Sequence, residues 1–271
     1  MEVNKTYNEN CLDTMARMED NFIDLTVTSP PYDNLRMYKG FTMDWQKTIN
    51  ELYRVTKQGG VVVWVVGDST QKGSETGTSF RQALFAKECG FNLHDTMIYQ
   101  KSTPPLTHNR YEQNFEYMFV WSKGKPNTFN GLREPREYKD TRKNKAFGRN
   151  KDNSVDFGYS TQDKTRLKRN VWKYFAGGGA NDKTASKHPA IFPEQLAQDH
   201  VLSWSNENDL VYDCFMGSGT TAKMSILNNR NYIGSEISKE YCDIIHSRLM
   251  NKPKNKQINI FDQIEEQKQN K

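Results

Sequence analysis

Thr28–Ser29–Pro30–Pro31–Tyr32 sets a small hydroxyl, two ring-locked residues and a flat ring directly behind an apolar run. That run, Phe22–Ile23–Asp24–Leu25–Thr26–Val27, has the length and β-branching of a buried strand. Pro30 and Pro31 fix φ and carry no N–H, so the turn is stiff and its carbonyls are left to accept from a ligand. A planar group with an amino edge suits such a corner: its ring stacks on Tyr32 while Ser29 Oγ and a proline carbonyl accept the amino hydrogens. In open α/β sheets, ligands bind at the carboxyl ends of strands. Taken alone, the stretch reads equally well as a strand stopped by a Pro-Pro turn with a surface tyrosine.

A second stretch narrows the choice. Leu210–Val211–Tyr212 reads as a strand, Asp213–Cys214–Phe215–Met216–Gly217–Ser218–Gly219–Thr220–Thr221 as a glycine-rich turn, and Ala222–Leu227 as the helix behind it. The glycines allow a tight turn and close backbone approach to a ligand. Glu236 stands twenty-three residues past Asp213, at the end of the next strand, Tyr232–Ser235. An acid at about that spacing is placed to bond ribose hydroxyls. Gly217 to Ala222 also fits the dinucleotide pattern G-x-G-x-x-A. It lies too near the end of this sequence to open two βαβαβ halves, and no Gly-Lys-Ser/Thr makes it a P-loop.

Together these residues carry a resemblance. Ser29–Tyr32 resembles motif IV of the DNA amino-methyltransferases, and Asp213–Thr221 resembles motif I of S-adenosylmethionine-dependent methyltransferases, with Cys214 where the family usually has proline. His188–Pro189–Ala190–Ile191–Phe192–Pro193 is similar to an element that walls the cofactor's methionine portion in that family. The catalytic-type corner precedes the glycine turn, which is the permuted order of the family's β group.

The resemblance implies a Rossmann-like fold with a mostly parallel sheet, S-adenosylmethionine as cofactor and DNA as substrate. It admits a homodimer and a restriction endonuclease acting on the same site. The implied catalytic residues are Ser29, Pro30, Pro31 and Tyr32. The implied cofactor set is Asn10, Cys11, Thr28, His188, Phe192, Asp213, Phe215, Gly217, Ser218, Gly219, Thr220, Thr221 and Glu236. Asn10 stands where the family has an acid near adenine.

Ser at the first motif position goes mostly with cytosine N4 in the family, and Asp mostly with adenine N6. Cytosine N4 is therefore the expected target; adenine N6, RNA and a non-catalytic DNA-binding scaffold are the alternatives, in that order. Carbon methylation needs an attacking thiolate, which its family sets behind proline; no cysteine here follows a proline. A base inside a duplex is out of reach, so it is expected to flip out and stack on Tyr32 (methyltransferases are among the known flippers).

The rest of the chain must position these residues. Its 271 residues suffice for a substantial core, and 35% hydrophobic with 26% charged residues suits a soluble protein. The longest apolar run, Val61–Val66, is too short to span a bilayer. Cys11, Cys89, Cys214 and Cys242 form no C-x-x-C pair, no metal-ligand spacing occurs and no export leader is evident, so a reduced cytoplasmic setting without metal is expected. Helical spacing over Cys11–Met18, Trp45–Thr56 (ended by Gly59–Gly60), Phe80–Cys89, Leu196–Trp204 and Tyr241–Met250 alternates with strands. Those are an edge strand within Val3–Asn10, then Val61–Val66, Phe91–Gln100 and Tyr117–Trp121. The class is α/β.

Residues 1–125 and 171–250 thus form catalytic and cofactor-binding halves. Between them, 126–170 is basic and poor in aliphatics. From Ser122 to Asn170, fourteen Lys and Arg meet six Asp and Glu, a larger excess than the whole chain's net +5. A target-recognition insertion holding phosphates and reaching bases is expected there, against a solvated loop as the plainer reading. Residues 251–271 read as a polar tail.

Overall fold

The computed structural model describes residues 1–31, 43–102, 110–136, 145–158, 164–175 and 193–250. In chain order come β1 (Lys5–Tyr7), α1 (Cys11–Ala16), β2 (Ile23–Thr28), α2 (Trp45–Val55) and β3 (Thr56–Val66). A small hairpin, β4 (Thr70–Gln71) and β5 (Ser74–Glu75), precedes α3 (Thr78–Glu88), β6 (Asn92–Lys101) and β7 (Phe115–Ser122). The insertion carries β8 (Arg133–Pro135), β9 (Lys145–Arg149), β10 (Val155–Gly158) and β11 (Thr165–Leu167). Then follow β12 (Val171–Tyr174), α4 (Glu194–Trp204), β13 (Leu210–Asp213), α5 (Thr220–Leu227), β14 (Asn231–Ser235) and α6 (Lys239–Met250).

Eight strands form one sheet in the order β1-β14-β13-β2-β3-β7-β6-β12. Only β7 runs against the rest: it pairs antiparallel with both β3 and β6, while every other pair is parallel. Both faces are buried, as a parallel sheet requires. Val62, Trp64 and Val66 of β3 point into a core with Ile49 and Leu52 of α2, Met15 of α1 and Ala83 of α3. Val61, Val63 and Val65 point the other way, against Leu196, Val201 and Trp204 of α4. The period of two along β3 thus divides the molecule into its two helical layers. Trp64 and Trp121 stack at 5.3 Å between centroids at the centre of the first layer. Among the described residues no helix is long and apolar enough to cross a membrane.

One element boundary departs from the sequence reading. Gly59–Gly60 does not end α2; the helix stops at Val55, and Thr56 is already extended, its hydroxyl donating to Leu52 O at 2.6 Å. Lys123 Nζ caps the same helix end by donating to Tyr53 O (2.8 Å) and Thr56 O (3.0 Å). Gly59 instead serves an irregularity in the β2–β3 register, where Ile23 faces Thr56 but Leu25 already faces Val61. Its φ of +80° is one that side chains other than glycine rarely adopt.

The insertion is more ordered than its composition suggests. β8 pairs antiparallel with β11, and β9 with β10, as nested ribbons. Its first residues belong to the body: Asn130 Nδ2 donates to Leu202 O and Ser205 O, both at 3.1 Å, and Phe129 packs on Trp204. At the far end Lys168 Nζ donates to Asp199 Oδ2 of α4 at 2.7 Å, where Tyr174 OH also donates at 2.6 Å.

Candidate active site

The permuted order puts β2, from the first half of the chain, beside β13, from the second. The two sequence-predicted stretches therefore leave the same sheet edge side by side. Thr28, last residue of β2, donates its hydroxyl to Asp213 Oδ1, last residue of β13, at 2.7 Å. The same oxygen accepts the Phe215 N–H at 3.1 Å. Thr221, in the first turn of α5, donates its hydroxyl to Val27 O at 3.2 Å, and Cys214 Sγ lies 3.5 Å from Thr28 Oγ1. Corner, acid and helix start are one hydrogen-bonded unit. Burial pushes the Asp213 carboxyl above its usual range, against the opposing pull of the Thr28 and Thr221 hydroxyls and the Phe215 N–H.

The glycine turn is held from β14. Gly217 and Gly219 have φ of +50° and +78°. The Gly217 N–H donates to Glu236 Oε2 and the Ser238 N–H to Oε1, each at 2.8 Å. Glu236 is thus both the acid of the sequence reading and a brace for the turn. A carboxylate has about four acceptor positions, so capacity is left for further donors. Burial raises its pKa, opposed by those backbone N–H groups. Asn8, which the sequence reading passed over, donates to Glu236 O at 2.9 Å and fixes the end of β1 to this loop.

Ser29 is half-buried and Pro30 buried, directly past Thr28. Phe215 is half-buried and meets Trp64 edge-on, with centroids 6.2 Å apart. Ser218, Thr220 and Thr221 are buried in the turn. Tyr32, His188 and Phe192 lie outside the described residues. Asn10 Oδ1 accepts from Leu12 N at 2.9 Å as the cap of α1, and Cys11 is buried in the core with its thiol pushed up to about 11. Asp68, at the end of β3, is likewise a cap, accepting the Ser79 N–H of α3 at 2.9 Å.

The donor set suits a cationic nucleoside. Two buried carboxylates stand at adjacent strand ends, and a left-handed glycine turn opens the backbone to close approach.

A family model described as DNA methylase matches residues 23–247. The chain belongs to that family. Membership makes it a DNA methyltransferase of the N4/N6 type, with S-adenosylmethionine as methyl donor. This methylase is 56% identical to the orphan methyltransferase M.BamHII of Bacillus amyloliquefaciens, covering 86% of this chain and 90% of that one. With the Type II methyltransferase M.BglII of Bacillus subtilis it shares 27%, covering 93% and 70%. Among solved structures it is similar to the cytosine-N4-specific PvuII DNA methyltransferase (TM-score 0.68, 18% identity, 93% of this chain and 88% of that one). It is also similar to M1.HpyAVI in complex with S-adenosylmethionine (TM-score 0.59, 21% identity, 90% and 98%). At those identities the likeness is one of fold, and it agrees with the Rossmann-like, mostly parallel sheet expected for a DNA methylase.

Proposed function

We propose that this methylase transfers a methyl group to the exocyclic N4 amine of a cytosine flipped out of duplex DNA, with Ser29 and Pro30 as the groups that hold the amine. The observation that carries this reading is the Thr28–Asp213 bond, which fixes the amine-accepting corner directly against the glycine turn. The cofactor, when bound, supplies a methyl group activated on a sulfonium. Asp213, Glu236 and the turn 215–221 are the residues that would hold it. The target amine is a weak nucleophile because its lone pair is delocalised into the ring. Ser29 Oγ and the Pro30 carbonyl accept its hydrogens, draw the nitrogen towards tetrahedral geometry and free that pair. No strong general base is required, so positioning supplies most of the acceleration.

The choice of cytosine rests on the family's association of Ser at the position of Ser29 with N4, and not on geometry, since a hydroxyl serves either amine. Nucleoside mass spectrometry on unmodified DNA incubated with the protein and S-adenosylmethionine tests it. N4-methylcytosine is the expected product. N6-methyladenine would keep the mechanism and overturn the base, and methylation of structured RNA in preference to duplex DNA would overturn the substrate.

We assign target recognition to the nested ribbons within 126–170, held to the body at both roots. Phe129 and Lys168 are committed to those roots, which leaves the outer ribbon, with exposed Lys151, to meet the DNA.

A pH effect follows from Glu236. Its carboxyl is raised in the fold, so it favours folding below its unfolded pKa, and that contribution is lost as pH rises through the folded value. Accepting ribose hydroxyls favours the ionised form instead. Affinity for S-adenosylmethionine is therefore expected to weaken as pH falls from neutral, with a midpoint above the ordinary glutamate value. Calorimetric titrations across that range check this, and Glu236→Gln should bind weakly with less pH dependence.

A further inference from the structure

We propose that Arg248, on the last turn of α6, is a positioning residue for the cofactor turn. It is 4% exposed and lies some thirty residues beyond the turn in sequence. Its Nη1 donates to the Ser218 carbonyl, to Ser218 Oγ at 3.1 Å and to Thr220 Oγ1 at 3.3 Å. Its Nη2 donates to Glu194 Oε1 at 2.9 Å, and the same carboxylate oxygen accepts from Lys223 of α5 at 2.7 Å. One guanidinium therefore ties together the turn and the first residue of α4, while Glu194 draws in α5.

The consequence is local and geometric. The Ser218–Gly219 peptide is held at both ends: its carbonyl by Arg248, its N–H by donation to Met216 O at 2.7 Å. Rotation of that peptide would turn a carbonyl into the space where the turn meets a ligand. Ile245, one turn earlier on α6, closes the same contact, since a Cβ on Gly219 would lie 3.0 Å from its side chain. α6 thus presses on the turn with an apolar residue and locks it with a charged one. The planar fork of arginine reaches these acceptors in fixed directions, whereas a lysine ammonium is a single point on a flexible stem.

This inference rests on the turn being the S-adenosylmethionine site, and the test separates the two. In calorimetry at a temperature well below melting, Arg248→Lys is expected to bind S-adenosylmethionine about tenfold more weakly than the wild-type chain. KM for the cofactor should rise in step, with kcat at saturation and KM for DNA within about twofold. Amide hydrogen exchange in the cofactor-free protein should quicken across 217–221. A lowered melting temperature with unchanged cofactor affinity would make Arg248 a structural staple only and overturn the proposal. Should Arg248→Lys fail to fold, Glu194→Gln carries the same test: it keeps Ser218 paired, a rise in Kd of about threefold is expected, and no rise overturns the proposal. A wild-type chain that binds no cofactor would remove the site reading and this inference with it.

Discussion

Ser29→Ala is expected to lower kcat by about two to three orders of magnitude while leaving the Kd for S-adenosylmethionine within about twofold. The magnitude is that of removing one well-placed polar partner from a reacting group. The separation of the two effects follows from the structure. Ser29 lies one residue past the Thr28 hydroxyl that bonds Asp213, so its own hydroxyl can go without disturbing the bond that joins the two halves of the site. Tyr32→Ala should show the same division, its loss arising from a base no longer stacked. Single-turnover methylation with calorimetry of cofactor binding measures both quantities on the same preparations. Full turnover in both variants would withdraw the corner from the chemistry.

Asp213→Ala is expected to do the converse, costing both stability and cofactor. Its Oδ1 accepts from Thr28 and from the Phe215 N–H, and the side chain is buried. Without it the buried Thr28 hydroxyl loses its acceptor, at about 1–3 kcal/mol, and the half-buried Phe215 N–H loses its own at a smaller cost. The removed carboxylate was itself strained by burial, which offsets part of the loss. A net fall of about 2–4 kcal/mol corresponds to roughly 5–15 °C in Tm for a chain of this size. Cofactor affinity should fall at least about a hundredfold, because the turn loses its tether to β2. Asp213→Asn, which keeps a carbonyl oxygen for the Phe215 N–H, should recover much of the Tm. An unchanged melt in Asp213→Ala would show that the tether carries little.

Much of this arrangement was legible beforehand because its signals are local. The β-branched runs at 23–28 and 61–66 read as buried strands, and the glycine turn announced itself by the two residues that need positive φ. The alternation of strand and helix set the class. What escaped were interactions joining residues far apart in sequence. Arg248 offers no pattern by which a buried arginine near the end of a helix differs from a solvated one. Asn8 reaches Glu236 across 228 residues. Asn10, read through the resemblance as a cofactor contact, also caps α1, a role that an asparagine just before an apolar-periodic run already signals in the sequence. The ribbons were missed for another reason. Their strands are three to five residues long and, among the described residues, pair only with each other, so no long periodic run marks them.

The seam between β2 and β13 also dictates when, during synthesis, this protein acquires its activity. Thr28 and Asp213 are separated by 185 residues, about 10–40 s of translation at ordinary elongation rates. Throughout that interval β2 has β3 on one side and an open edge on the other, and β1 awaits a strand centred on Ile233. A nascent chain of two hundred residues carries the proposed amine-accepting stretch but not the glycine turn. It is therefore chemically silent, and its apolar edge is open to the wrong partner. Activity arrives all at once, when the late strands slot in and close the sheet from its middle.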